Sequence, residues 1–282
     1  MSNLIAIDAG HGPDTAGKRT PILPNGQKVP ETGRNYMNEF VFNHAVANYL
    51  QAELERCGFK TVRTYKSTED TSLKNRVTTA KNKGADALIS IHANANLSVW
   101  GTWTGIETFY KPGNDYSKKL ATKVHTRIMQ GNPITRDRGL KTDNLYITNS
   151  STPTMPAILL ELGFMDSKTD YVYLLQESYR KFCAQQVTKG ICDYFGVPYK
   201  AEVTSSATAS KNTSTTKEEP RMVSPSTKSL LEQTISTLKA LEDKSKFGDK
   251  ALSSVHREKL EKGELKLDDA VCLALIVLGR NL

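Results

Sequence analysis

Four cysteines occur in 282 residues and none forms a Cys-x-x-Cys pair. That scatter suggests neither a thiolate metal centre nor a disulfide framework, so Cys57, Cys183, Cys192 and Cys272 read as reduced, mostly buried thiols. Long apolar runs are missing as well. The longest, Ala270 to Leu278, is nine residues, less than half of the roughly 20 that a membrane-spanning helix needs, so no stable membrane association is expected. No basic run and no interleaving of arginine with aromatics is present, which argues against nucleic acid as a partner. The segment from Met1 to Asp8 goes straight into a strand, without a cationic stretch followed by a long apolar one. Read this way, the chain is expected to be made in a cytoplasm without an export signal.

What is present is an ordinary globular composition, 38% hydrophobic and 24% charged, with a formal net charge of +8. Through Tyr199 there are 24 Lys and Arg against 18 Asp and Glu, and after it 14 against 12, so the basic excess lies mostly in the front part. Such a charge favours an anionic partner, with an anionic lipid or wall polymer as candidates once nucleic acid is set aside.

Strand-like and helix-like patterns alternate along residues 4–195. Leu4 to Ile7, Phe59 to Tyr65, Asp86 to His92, Ile106 to Tyr110, Leu145 to Thr148 and Ala157 to Glu161 read as strands. Glu39 to Cys57, a segment from Thr71 or Ser72 to Lys83, Asp115 to Met129, Ser167 to Leu175 and Ser178 to Phe195 read as helices. The alternation predicts an α/β fold, a mainly parallel sheet with helices on both faces. Ligands of such sheets bind outside the carboxyl ends of the strands.

Two histidines fall there. His11 in Asp8-Ala9-Gly10-His11-Gly12 and His92 in Ser90-Ile91-His92-Ala93-Asn94 each close an apolar run, among small residues that let an ion or substrate approach the backbone. His44, His125 and His256 lack that setting and read as structural or surface residues. Glu39 opens a helix, where a carboxylate complements the macrodipole and faces the same cleft. Glu31 is its rival as a third ligand but reads as a solvated loop residue. Glu161 follows Ala157-Ile158-Leu159-Leu160, an apolar setting in which a carboxylate is unusual unless paired or functional.

These segments, with Glu39-x-x-x-Asn43, Ser72-Leu73-x-x-Arg76-Val77 and Leu160-Glu161-Leu162-Gly163-Phe164, resemble the zinc-dependent N-acetylmuramoyl-L-alanine amidases of the Amidase_3 type over about residues 3 to 197. The resemblance implies a six-stranded α/β fold, Zn2+ on His11, Glu39 and His92, and Glu161 as the catalytic acid and base. It favours Glu39 over Glu31, since Asn43, Ala45, Ala47 and Leu50 fall at the family's offsets from Glu39. Met165-Asp166-Ser167 departs from the family's usual residues, and the long loop from Thr15 to Tyr36 is similar to the phage-lysin branch and is expected to shape the substrate groove. The implied reaction is hydrolysis of the bond between N-acetylmuramic acid and the L-alanine of the stem peptide.

The implied partner is therefore bacterial peptidoglycan, with anionic secondary wall polymers as a further candidate. Two settings fit: a phage endolysin, reaching the wall from the host cytoplasm after membrane permeabilisation, or a sporulation autolysin. A zinc carboxypeptidase and a non-catalytic wall-binding protein are the remaining alternatives. The hydroxyl-rich loop from Tyr146 to Pro153 reads either as a turn or as a stem-peptide contact. The expected organisation is a catalytic domain over 1–199, a Ser-, Thr- and Lys-rich tether over 200–228 and a helical module over 229–282. The module is expected to target the wall by raising local concentration, with dimerisation as the alternative.

Overall fold

The computed structural model describes residues 2–202, and the tether beyond that point, the helical module, His256 and Cys272 lie outside the described residues. Six strands form one sheet in the order β2-β1-β3-β6-β4-β5. They are β1 (Leu4–Ala9), β2 (Lys60–Arg63), β3 (Ala87–Asn94), β4 (Ile106–Tyr110), β5 (Asp137–Thr142) and β6 (Ala157–Phe164). All adjacent pairs are parallel except β4 with β6, which is antiparallel. The expected α/β architecture with a mainly parallel sheet is the observed one.

Alternation along the central strands sets which helices cover which face. Ile5 and Ile7 of β1, Ile89 and Ile91 of β3 and Ile158 and Leu160 of β6 point to one side. There they meet α1 (Glu39–Arg56) through Phe42, Val46 and Leu50, α3 (Asp115–Met129) through Leu120 and Val124, and α6 (Glu177–Phe195) through Val187 and Ile191. Ala6, Leu88 and Ala157 face the other way, onto Val77 and Ala80 of α2 (Leu73–Asn82) and Ile147 of α4 (Tyr146–Asn149). Gly190 lets α6 lie against α3, since a Cβ there would sit 2.4 Å from the Val124 Cα.

Local chemistry fixes the boundaries. Ser72 caps α2 by accepting the Asn75 N–H, and Asn114 caps α3 by accepting that of Ser117. Gly196 ends α6 in the left-handed conformation, φ 70°.

Two expectations need correction, and one strand was not expected. Leu145 to Thr148 is no strand: Tyr146–Asn149 is a single helical turn, closed by the Asn149 N–H on the Leu145 carbonyl, with Ile147 and Thr148 buried. The strand that precedes it, β5, carries the mostly exposed sequence Asp-Arg-Gly-Leu-Lys-Thr at the sheet edge, where no apolar alternation marks it. The helix expected from Ser167 starts later, as α5 (Asp170–Leu174), because Ser167 Oγ accepts the N–H groups of Thr169 and Asp170 in a turn.

Candidate metal and catalytic site

The site begins with how β1 ends. His11 leaves the strand at φ 63°, a left-handed conformation unusual for a residue with a side chain. Arg76 of α2, 1% exposed, holds it there: its guanidinium donates to the carbonyls of Ala9 at 2.5 Å and His11 at 2.6 Å and to Asp8 at 2.7 Å. Asp8 is buried in turn and accepts the hydroxyls of Thr64 and Ser90, each at 2.7 Å. Gly10 has no room for a side chain, since a Cβ would stand 2.1 Å from His92 Cε1.

Glu39 gathers the two imidazoles. Its Oε2 lies 3.1 Å from His11 Nε2, and its Oε1 lies 2.9 Å from His92 Nδ1. Oε1 also accepts the Ala93 N–H and the Asn43 amide, both at 3.2 Å. Asn43, one helical turn on, donates as well to the Gly10 carbonyl at 3.1 Å and so ties α1 to the end of β1. One donor atom from each of His11, Glu39 and His92 falls within 4.8 Å of the others. Two imidazoles and a carboxylate converging on one point, open to a cleft, suit a hydrolytic divalent metal and zinc in particular.

Glu161 lies inside β6 rather than at its end, in register with His92 on β3 and Glu107 on β4. Its Oε2 is buried without a hydrogen-bond partner, so it is an acceptor held free beside the metal donors. Burial pushes its proton affinity up to about 8; the His92 charge opposes this, and the Glu39 and Glu107 carboxylates add to it. Burial acts to raise Glu39 too, but its bonds to His11 and His92 outweigh that and hold it well below the usual carboxylate range. Burial alone would lower His92, and the Glu39 carboxylate reverses the direction.

A cleft of about 310 Å³ joins these groups, with Lys18 on one wall and Asn94, Asn96 and Ser98 on the other. Both walls are anchored. Asp166, fully buried, accepts the consecutive N–H groups of Asn96, Leu97 and Ser98 at 2.8–2.9 Å and the Trp103 indole N–H at 2.6 Å. The departure from the family's residues at Asp166 is thus the anchor of the cleft loop. Trp100 Nε1 donates to the Ile22 carbonyl at 3.0 Å, joining that loop to the one from Thr15 to Tyr36.

Glu31 stands apart from the metal donors. It pairs with the buried Arg180 of α6, so it is a clasp for its loop rather than a freely solvated residue. His44 bonds Tyr65, and His125 bonds Thr108 and Asp137, away from the cleft. Thr148, Ser150 and Ser151 of the Tyr146–Pro153 loop are buried, and Ser151 donates to the Thr148 carbonyl and accepts the Ala157 N–H, which favours the turn. Sequence reasoning gave no role to Arg76, Asp166, Glu107 or Lys18. Arg76 had a signal, its fixed place after Ser72-Leu73; the others take their meaning from contacts distant in the chain.

Fold and donor set together define a candidate metal site at the carboxyl edge of an α/β sheet. A family model described as Amidase_3, N-acetylmuramoyl-L-alanine amidase, matches residues 5–193, and the chain belongs to that family. It is 35% identical over 199 residues to an uncharacterized cell wall amidase of Bacillus anthracis, covering 68% of this chain and 35% of that protein. It is 32% identical over 197 residues to the N-acetylmuramoyl-L-alanine amidase LytC of Bacillus subtilis, covering 69% and 36%. The chain therefore spans about a third of the length of these two curated relatives. Among solved structures, an N-acetylmuramoyl-L-alanine amidase from Clostridium difficile 630 superposes with a TM-score of 0.59 at 30% identity, covering 69% of this chain and 97% of that one.

Proposed function

We propose that this chain is a zinc-dependent peptidoglycan hydrolase that cleaves the amide bond between the lactyl group of N-acetylmuramic acid and the L-alanine of the stem peptide. The observation that carries this is Glu161 Oε2, a buried and unpartnered acceptor on the wall of the cleft that also holds His11, Glu39 and His92. Those three residues would hold Zn2+, which when bound polarises a carbonyl and makes water acidic enough to react near neutral pH. Glu39, kept ionised by its two imidazole partners, remains a ligand instead of competing for the reaction's proton. Glu161 takes that proton from the attacking water and returns it to the departing amine of alanine. A carboxyl with raised proton affinity suits both halves of the transfer. Among the described residues the free thiols, Cys57, Cys183 and Cys192, are buried and none lines the cleft, so none of these three acts as a nucleophile there.

Digestion of purified peptidoglycan is expected to release free amino groups and no new reducing ends. Reducing ends would mean a glycosidase and end this reading. A chelator should stop the digestion and added zinc restore it. Glu161→Gln should lower turnover about 100-fold or more while zinc stays bound, on the scale of general acid–base catalysis; unchanged turnover removes Glu161 from its role.

The biological setting that fits best is lysis of a bacterial host from within, as by a phage endolysin. The length of the loop from Thr15 to Tyr36 and the layout of catalytic unit, tether and tail support it. Expression with a membrane pore-former should lyse the cells, and expression alone should not.

A further inference from the structure

The cleft has two lobes that meet at His11 and His92. One, of about 310 Å³, is lined by Lys18, Asn94, Asn96 and Glu161. The other, of about 450 Å³, is lined by Asp70, Thr71, Ser72 and Leu73. Glu161 borders the first lobe and not the second. If Glu161 protonates the departing nitrogen, as the reading above has it, the stem peptide must leave along the first lobe and the sugar must lie towards the second.

Lys18 is the cation of the first lobe. Its side chain is exposed, and among the described residues it has no ion-pair partner. The neighbouring Arg19 is already engaged, over the Tyr36 ring at 4.7 Å. The Lys18 backbone is held: its carbonyl accepts the Glu39 N–H at 2.9 Å, Arg19 bridges Asn38, and the Thr20 N–H reaches the Met37 carbonyl at 2.9 Å. A lysine on an anchored backbone, its ammonium unpaired, therefore lines the first lobe, on the side where the leaving group emerges.

From the scissile amide along that side of the substrate, alanine carries no charge. The first anion is the α-carboxylate of the second residue, a D-glutamate joined onward through its γ-carboxyl; in amidated walls the same position is neutral. We infer that Lys18 is a specificity-determining residue that binds the α-carboxylate of the stem D-glutamate, so that the free-acid stem is preferred over the α-amide. This rests on the proposed amidase reaction with Glu161 serving the leaving amine.

The test uses the full chain, zinc-loaded, on two disaccharide-tetrapeptides that differ only in whether the D-glutamate α-carboxyl is free or amidated. The ratio of kcat/KM should favour the free acid about fivefold, the scale of a solvent-exposed ion pair, and shrink as salt is raised. Lys18→Gln should bring the ratio to about one, and Lys18→Arg should keep it. Because the side chain is exposed, the variants should fold, which matching melting curves check. A wild-type ratio near one overturns the inference. So does a Lys18→Gln that slows both substrates equally, since Lys18 would then act on Glu161 and not on the stem. Cleavage of neither substrate fails at the amidase reading itself, and the inference falls with it.

Discussion

His92 is positioned as much by a missing atom as by its partners. The imidazole lies where a Gly10 side chain would be, and Glu39 then fixes it through Nδ1. Gly10→Ala should therefore displace the ring: zinc affinity is expected to fall at least tenfold, the scale of a disturbed ligand shell, with most of the stability retained. Metal titration followed by a melting curve checks both. Glu161 makes a second residue-scale prediction, for metal-free protein. Its folded-state affinity, about 8, lies above the ordinary 4.5, so the folded chain holds a proton that the unfolded chain releases between those values. The stability this contributes is fully present below about pH 4.5 and is lost as pH rises through about 8. Melting temperatures of the wild type minus those of Glu161→Gln should fall across that window; a flat difference would count against a neutral buried Glu161.

At the scale of elements, the register of β3, β6 and β4 puts His92, Glu161 and Glu107 side by side across three strands. Arg76 links α2 to the end of β1, and removing it would leave Asp8 buried with one partner fewer. Arg76→Met is expected to cost about 3 kcal/mol, the penalty of breaking a buried pair, and to release His11 from its left-handed conformation. A urea midpoint together with zinc affinity would show both effects. The buried central strands and the second helix's start were legible because apolar residues and a capping side chain mark them: Ile5 to Ile7, Ile89 to Ile91 and Ser72 all carry local signals. β5 and α4 were not. One is a polar edge strand, and the other is a β-prone tetrapeptide coiled into a turn by burial of Ile147. The four site residues stood out because each is polar at the mouth or in the midst of an apolar segment. Lys18 and Asp166 did not, because an exposed lysine and a loop aspartate look ordinary until distant segments meet them.

At the scale of the molecule, the described part contains the cleft residues and the donors His11, Glu39 and His92, and the two long loops are fastened to each other by Trp100, with the loop from Thr15 to Tyr36 held to α6 by Glu31 and Arg180. A chain cut after Glu202 is expected to cleave soluble muropeptides at close to the full rate and to lose sedimentation with intact walls, if residues 203–282 target the polymer. Equal sedimentation would move wall affinity into the catalytic part, whose basic excess is the larger. The strand order has one more consequence, for when activity can arise. Among the described residues β6 is the last strand made, yet it sits between β3 and β4, which do not pair with each other. Until it emerges from the ribosome, β4 and β5 have no place to attach and Glu161 does not exist in the chain. Contacts of such long sequence separation form slowly, so the candidate site cannot be completed before translation has passed β6.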